Sequence, residues 1–128
     1  MYNRNNVKTA ATYIPSIASD GSSLAPCFLA DSACEILAIR LISGAATLST
    51  DWNLNIYKTA SDAGSALSTT GSMAALSSFT GSSMTLTSTV ALKRLAANGV
   101  LLYELTSHGG TSTNYRIEVD YVHGYTNA

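Results

Sequence analysis

The chain has 128 residues, enough for one domain with a single core. Only 12% of them are charged, with Lys+Arg 7 against Asp+Glu 8. That is about half the usual share for a soluble domain. It excludes the strong field that draws nucleic acid or anionic lipid. Ser and Thr supply about a quarter of the residues, a surface that suits a protein partly covered by neighbours.

The opening run MYNRNNVKTAAT has no basic region followed by an apolar one. No secretory signal is read there, and no apolar run approaches the roughly 18 residues of a membrane span. Synthesis in a cytosol is expected. Residues 1–12 hold Arg4, Lys8 and three asparagines but little apolar surface, which predicts an extended arm that is mobile in isolation. Residues 13–128 are read as the folded domain. Tyr13, Ile14 and Ile17 predict a short strand, and Pro15 confines it to a sheet edge, because proline cannot donate to a ladder on both sides. Asp20-Gly21 marks a turn.

Cys27 and Cys34 match no compact zinc pattern. Free, buried thiols are the favoured reading, and a disulfide is the alternative. ACEILAIRLI, residues 33–42, places Leu37, Ile39 and Leu41 on one face and Ile36, Ala38, Arg40 and Ile42 on the other. The isoleucines favour a strand over a helix. An apolar character on both faces predicts a strand covered on both sides or set at a subunit contact. WNLNIYK, residues 52–58, alternates Trp52, Leu54 and Ile56 with Asn53, Asn55 and Tyr57, the period of a half-buried strand. The Ser/Ala/Gly-rich run 61–81 looks like low-complexity filler, and Met73, Leu76 and Phe79 at helical spacing suggest one short helical turn or an ordered loop around MAALSSF.

MTLTSTVAL, residues 84–92, reads as a strand with threonines on its wet face. Asn98-Gly99 then turns into a hairpin over Gly99 to Tyr121. In its first arm Leu101, Tyr103 and Leu105 share a face opposite Val100, Leu102 and Glu104. In its second, Tyr115, Ile117, Val119 and Tyr121 alternate with Asn114, Arg116, Glu118 and Asp120. Five or six strands with long Ser/Gly connections predict an all-β, jelly-roll-like antiparallel β-sandwich with an extended N-terminal arm. The expected core is Leu37, Ile39, Trp52, Leu54, Ile56, Leu86, Leu102 and Ile117.

No catalytic constellation emerges, so no enzyme is expected and no catalytic residue, metal ligand or cofactor is assigned. His108 and His123 are the only imidazoles, and both read as surface residues. Glu118 and Asp120 share the wet face of one strand, where pairing with Arg116 or a cross-strand neighbour is simpler than work as a glycosidase pair. Phosphate, dinucleotide and calcium loops of the usual spacing do not occur. Sugar stacking on Tyr57, Tyr103 or Tyr125 stays open as an alternative.

The series EILAIRLISGA, WNLNIYKTA and MTLTSTVALKRLAANGVLLYELTSHGGTSTNYRIEVDY, from about Ala33 to Tyr121, resembles β-sandwich structural proteins of tailed bacteriophages. The resemblance implies a capsid decoration, or cement, protein. Such a protein binds the major capsid protein on the outside of the virion, commonly as a homotrimer, without nucleic acid or membrane. A glycan- or receptor-binding module of a head or tail fibre has the same look. On the cement reading, the arm orders against a neighbouring subunit, and Tyr2, Arg4, Val7, Lys8 and Tyr13 are its expected contact residues.

Overall fold

The computed structural model describes residues 6–17, 25–42, 53–58, 81–106 and 112–124. The elements run in chain order: β1 (Lys8–Ile17), β2 (Ala25–Leu29), β3 (Cys34–Ile42), β4 (Asn53–Tyr57), β5 (Gly81–Ser83), α1 (Val90–Lys93), β6 (Arg94–Leu95), β7 (Val100–Thr106) and β8 (Ser112–His123). One sheet has the order β1-β8-β3-β5, with β6 beside β3 as well; the other has the order β2-β7-β4. Every pairing is antiparallel. Strand β1 pairs β8, β2 pairs β7, and β3 pairs β5. These nested pairs describe a long antiparallel ribbon wrapped into two sheets, the jelly-roll path.

Alternation decides which side chains meet between the sheets. In β8, Tyr115, Ile117 and Val119 are buried, and Arg116, Glu118 and Asp120 between them point out. The second sheet contributes Phe28, Leu54, Ile56, Leu101 and Tyr103. In β7 the buried row is Leu101 and Tyr103, not the expected Leu102. The register Ile56↔Tyr103 and Leu54↔Leu105 ties the odd-numbered residues of β7 to the inward row of β4. Leu102 is half-buried opposite Tyr57. Leu37 and Leu86 are half-buried too, whereas Ile39, Leu54, Ile56 and Ile117 are in the core as expected. Trp52 lies outside the described residues, as does the helical turn or ordered loop expected around MAALSSF.

Strand β3 does not have two apolar faces. Its register against β8 runs Cys34↔His123, Glu35↔Val122, Ile36↔Tyr121 and then Ala38↔Asp120, so Leu37 is an extra residue in a β-bulge. The inward row is Cys34 and Ile36 before the bulge and Ile39 and Leu41 after it. Were Leu37 paired in an unbroken alternation, Arg40 would continue the inward row and Ile39 would face out. The mixed pattern in the sequence records a change of phase within one strand, and this replaces the expectation of a second apolar face.

Two further expectations change. Residues 84–92 are not one strand: β5 ends at Ser83, Leu86 makes an isolated bridge, and α1 follows. The Thr89 backbone N–H donates to Thr87 Oγ1 at 3.1 Å, a local bond that competes with a ladder. Met84 is nonetheless buried in the core. Of the expected arm of residues 1–12, Lys8 to Thr12 are instead the first half of β1 and pair β8 from Lys8↔Tyr121 onward, while residues 1–5 lie outside the described residues. β8 is long enough to offer those residues a ladder. β1 is the edge strand that Pro15 required, and Pro15 itself has no place in the register between Ile14 and Ser16. The turn at Asn98-Gly99 is present. Asn98 has φ 67, the left-handed region that asparagine tolerates better than most residues. A Cβ on Gly99 would lie 2.9 Å from the Ala96 carbonyl oxygen.

The bulge gives a direct test. Ile39→Ala should cost about 2–5 kcal/mol and Leu37→Ala clearly less, read from urea denaturation midpoints. Deleting Leu37 leaves Cys34, Ile36, Ile39 and Leu41 in one regular inward row with Arg40 still outward, so the variant should still unfold cooperatively; loss of the cooperative transition would refute the phase argument.

Candidate interaction surface

The outward face of β1, β8 and β3 carries a connected set of polar side chains. Arg40 on β3 is its centre. Its Nη1 and Nη2 donate to Asp120 Oδ2 and Oδ1 at 2.7 and 2.8 Å, and its Nε donates to Glu118 Oε1 at 3.2 Å. The first is a bidentate guanidinium–carboxylate pair, the strongest geometry such a contact has. Thr9 Oγ1 on β1 donates to Asp120 Oδ1 at 2.6 Å. Arg116 Nη2 lies 2.9 Å from Glu118 Oε2, and Arg116 Nη1 donates to the Tyr13 hydroxyl at 3.0 Å. The Arg116 guanidinium also sits 5.5 Å from the centre of the Tyr13 ring. Register explains the set: Arg40↔Glu118, Thr9↔Asp120 and Tyr13↔Arg116 are directly opposed across the ladders.

The electrostatics follow. Hydrogen bonding to Arg40 holds the Asp120 carboxyl below its ordinary range, and Thr9 adds to this against the cost of partial burial. The same contact with Asp120 raises Arg40. Two arginines face two carboxylates, so the patch is neutral and its charges are matched internally. Glu118 and Asp120 thus pair with Arg116 and a cross-strand neighbour, as the sequence suggested. Sequence reasoning missed Arg40 as the hub, because its outward position depends on the bulge at Leu37.

Of the expected contact residues, Tyr2 and Arg4 lie outside the described residues. Val7 is half-buried just ahead of β1, and Lys8 is exposed as its first residue. Tyr13 is 73% exposed. The structure therefore brings Lys8 and Tyr13 onto one edge strand rather than a free arm. Leu29, at the end of the edge strand β2, is 64% exposed and was not anticipated. Tyr57 and Tyr103, two of the three tyrosines considered for sugar stacking, are buried; Tyr125 lies outside the described residues. Burial, and then Glu104, push the Tyr57 hydroxyl up from its ordinary value.

One cluster has the composition of a hydrolytic triad. Ser32 Oγ is 2.6 Å from His123 Nδ1, and Asp31 Oδ1 is 4.0 Å from that same nitrogen. A triad needs the serine on one ring nitrogen and the carboxylate on the other, so that the carboxylate orients the base. Here both approach Nδ1, and the arrangement cannot pass a proton in that way. Among the described residues no group of three or more metal-ligating side chains comes together. Cys27 and Cys34 are free and buried, as favoured. Burial pushes the Cys27 thiol up to about 12 and also raises Cys34, with Asp31 adding to the latter.

No family model and no curated protein matches the chain. Solved structures do. A chain of the cyanophage Pam1 capsid asymmetric unit is 18% identical, with a TM-score of 0.50 over 97% of this chain and 91% of that one. A chain of the capsid of Ralstonia phage GP4 is 12% identical, with a TM-score of 0.56 over 95% of this chain and 87% of that one. At these identities the likeness is one of fold, and it agrees with the strand order: the chain is an all-β jelly-roll sandwich.

Two measurements check this surface. Because the folded-state Asp120 is depressed below its unfolded value, near 3.9, its contribution to stability is fully present above that value and is lost as pH falls through the folded one. Arg40→Met should therefore lower stability at neutral pH and flatten the acid limb of a stability–pH profile; an unchanged limb would separate Asp120 from Arg40. The native protein should also react with an aromatic disulfide reagent only at the rate of unfolding, and both thiols should titrate at once in denaturant.

Proposed function

We propose that this chain is a structural protein of a phage virion that binds the outside of the capsid and bridges major capsid subunits, as a cement protein does. The observation that carries the reading is the whole-length likeness of the sandwich to chains from two phage capsids. Both matches span nearly all of this chain and of the chain it is compared with. The low charge and the internally neutralised outward face are in keeping with it, since a neutral, paired patch can be covered without stranding a charge. The proposal includes a homotrimer as the bound form, a location on the virion surface, and action by binding alone with no catalytic step. The rival glycan-binding module is weakened by the burial of Tyr57 and Tyr103.

A ligand that binds only the assembled shell favours that shell by mass action, by about 2.7 kcal/mol at a concentration a hundredfold above Kd. Purified protein added to shells lacking it should co-sediment with them and raise their rupture temperature in a concentration-dependent way. Failure to co-sediment at micromolar protein would overturn the reading, and retention on a glycan array in its place would favour the fibre module.

A further inference from the structure

We propose that the open edge of β1, from Lys8 to Ile14, is a docking site for an extended segment of another protein that adds as a strand to the β1-β8-β3-β5 sheet. The inference rests on the cement reading in naming the shell protein as the source of that segment. Among the described residues β1 has one strand neighbour, β8. Its link to β2 is a side-chain bond, Thr12 Oγ1 donating to the Cys27 carbonyl at 2.6 Å, and no backbone bond joins the two strands. Every second residue of an antiparallel edge strand directs both its N–H and its C=O away from the sheet. Edges are usually guarded by proline, charge or a bulge. Pro15 guards the far end of β1, and β2 carries both Pro26 and a bulge. The stretch Thr9-Ala10-Ala11-Thr12 has no such device beyond Lys8 at its start, and its small side chains leave the edge accessible to a partner backbone.

Two side chains specify the occupant. Tyr13 stands 73% exposed on the outward face, and Arg116 holds its hydroxyl at 3.0 Å. A fixed aromatic makes an anchor at small entropic cost, and it calls for an apolar residue on the incoming strand. At the other end Lys8 is exposed and has no ion pair or hydrogen-bond partner among the described residues. The carboxylates nearby are taken: Asp120 by Arg40 and Thr9, Glu118 by Arg40 and Arg116. The incoming segment therefore supplies a carboxylate near Lys8. A second copy of this chain does not meet that need through its own edges. Strands β1 (KTAATYIPSI), β2 (APCFL), β4 (NLNIY) and β5 (GSS) contain no Asp or Glu. The edge fits an extended foreign segment with an acidic residue toward one end and an apolar residue about five positions away, in the manner of β-augmentation.

The test uses full-length protein and shells lacking it. Ala11→Lys faces Glu118 across the ladder and adds a charge to the edge; Lys8→Glu reverses the charge at its start. Both variants should keep the wild-type melting temperature, yet each should weaken shell binding by about tenfold or more. In the shell-bound wild type, alternate backbone amides between Thr9 and Tyr13 should exchange markedly more slowly than in the free protein. Variants that bind as wild type does, or amides whose exchange is unchanged on binding, would overturn the edge site while leaving the cement reading intact. Loss of self-association in the variants with shell binding preserved would assign the edge to a second copy and also overturn it. If the wild type itself does not bind shells, both the site and the cement reading fall.

Discussion

The structure depends on a two-residue period sustained along β8. That strand is paired on both sides, to β1 from Lys8 to Ile17 and to β3 from Cys34 to Ile42. Its inward residues Tyr115, Ile117 and Val119 form the floor of the core, and its outward residues Arg116, Glu118 and Asp120 collect partners from both neighbours. A slip of one residue in either ladder would exchange those rows, burying three charges and exposing the apolar row. The same alternation thus fixes the register of the sheet, the composition of the core and the polar network outside it.

The bulge at Leu37 shows how firmly that period is imposed. The sequence of β3 is apolar at Ile36, Leu37, Ile39 and Leu41, which no unbroken two-residue repeat can place on one side. Inserting one unpaired residue lets Cys34 and Ile36 share the inward face with Ile39 and Leu41, and moves Arg40 to the position opposite Glu118. The cost is one interrupted step in the ladder and a half-buried leucine. The return is a bidentate ion pair with Asp120 and the removal of a guanidinium from the core. Packing and electrostatics therefore call for the same irregularity.

Much of this was legible in the residues. The clean alternation of 53–57 and 115–121 identified two strands and their buried rows, Pro15 confined β1 to an edge, and Asn98-Gly99 marked a turn. The parts that were not legible share a cause: they depend on a partner strand. The phase of β7 is set by β4, not by its own LLYEL pattern, in which Leu101 and Leu102 are equivalent. The strand character of Lys8 to Thr12, a polar run with almost no apolar signal, is conferred by pairing with β8. The threonines of 84–92 suggested a strand, but local hydrogen bonding and the short helix took the chain out of the sheet after Ser83. The interaction surface was less legible still, because Arg40 reads as an interruption in an apolar run until the bulge is known.

The division between face and edge matters for how such a protein would hold a neighbour. On the outward face Arg40, Arg116, Glu118 and Asp120 already form ion pairs with one another. Covering them gains little Coulomb energy, because no charge there lacks a partner, and it removes some of their hydration. That face suits contact without directing it. An edge is different: its donors and acceptors are spaced by the strand repeat and accept only an extended backbone in register. Lys8 and Tyr13 lie at the two ends of the open stretch, about five residues apart, and would fix which segment binds and in which position. On the proposed reading, selectivity comes from a short edge and two side chains, and the larger neutral face contributes area without choosing the partner.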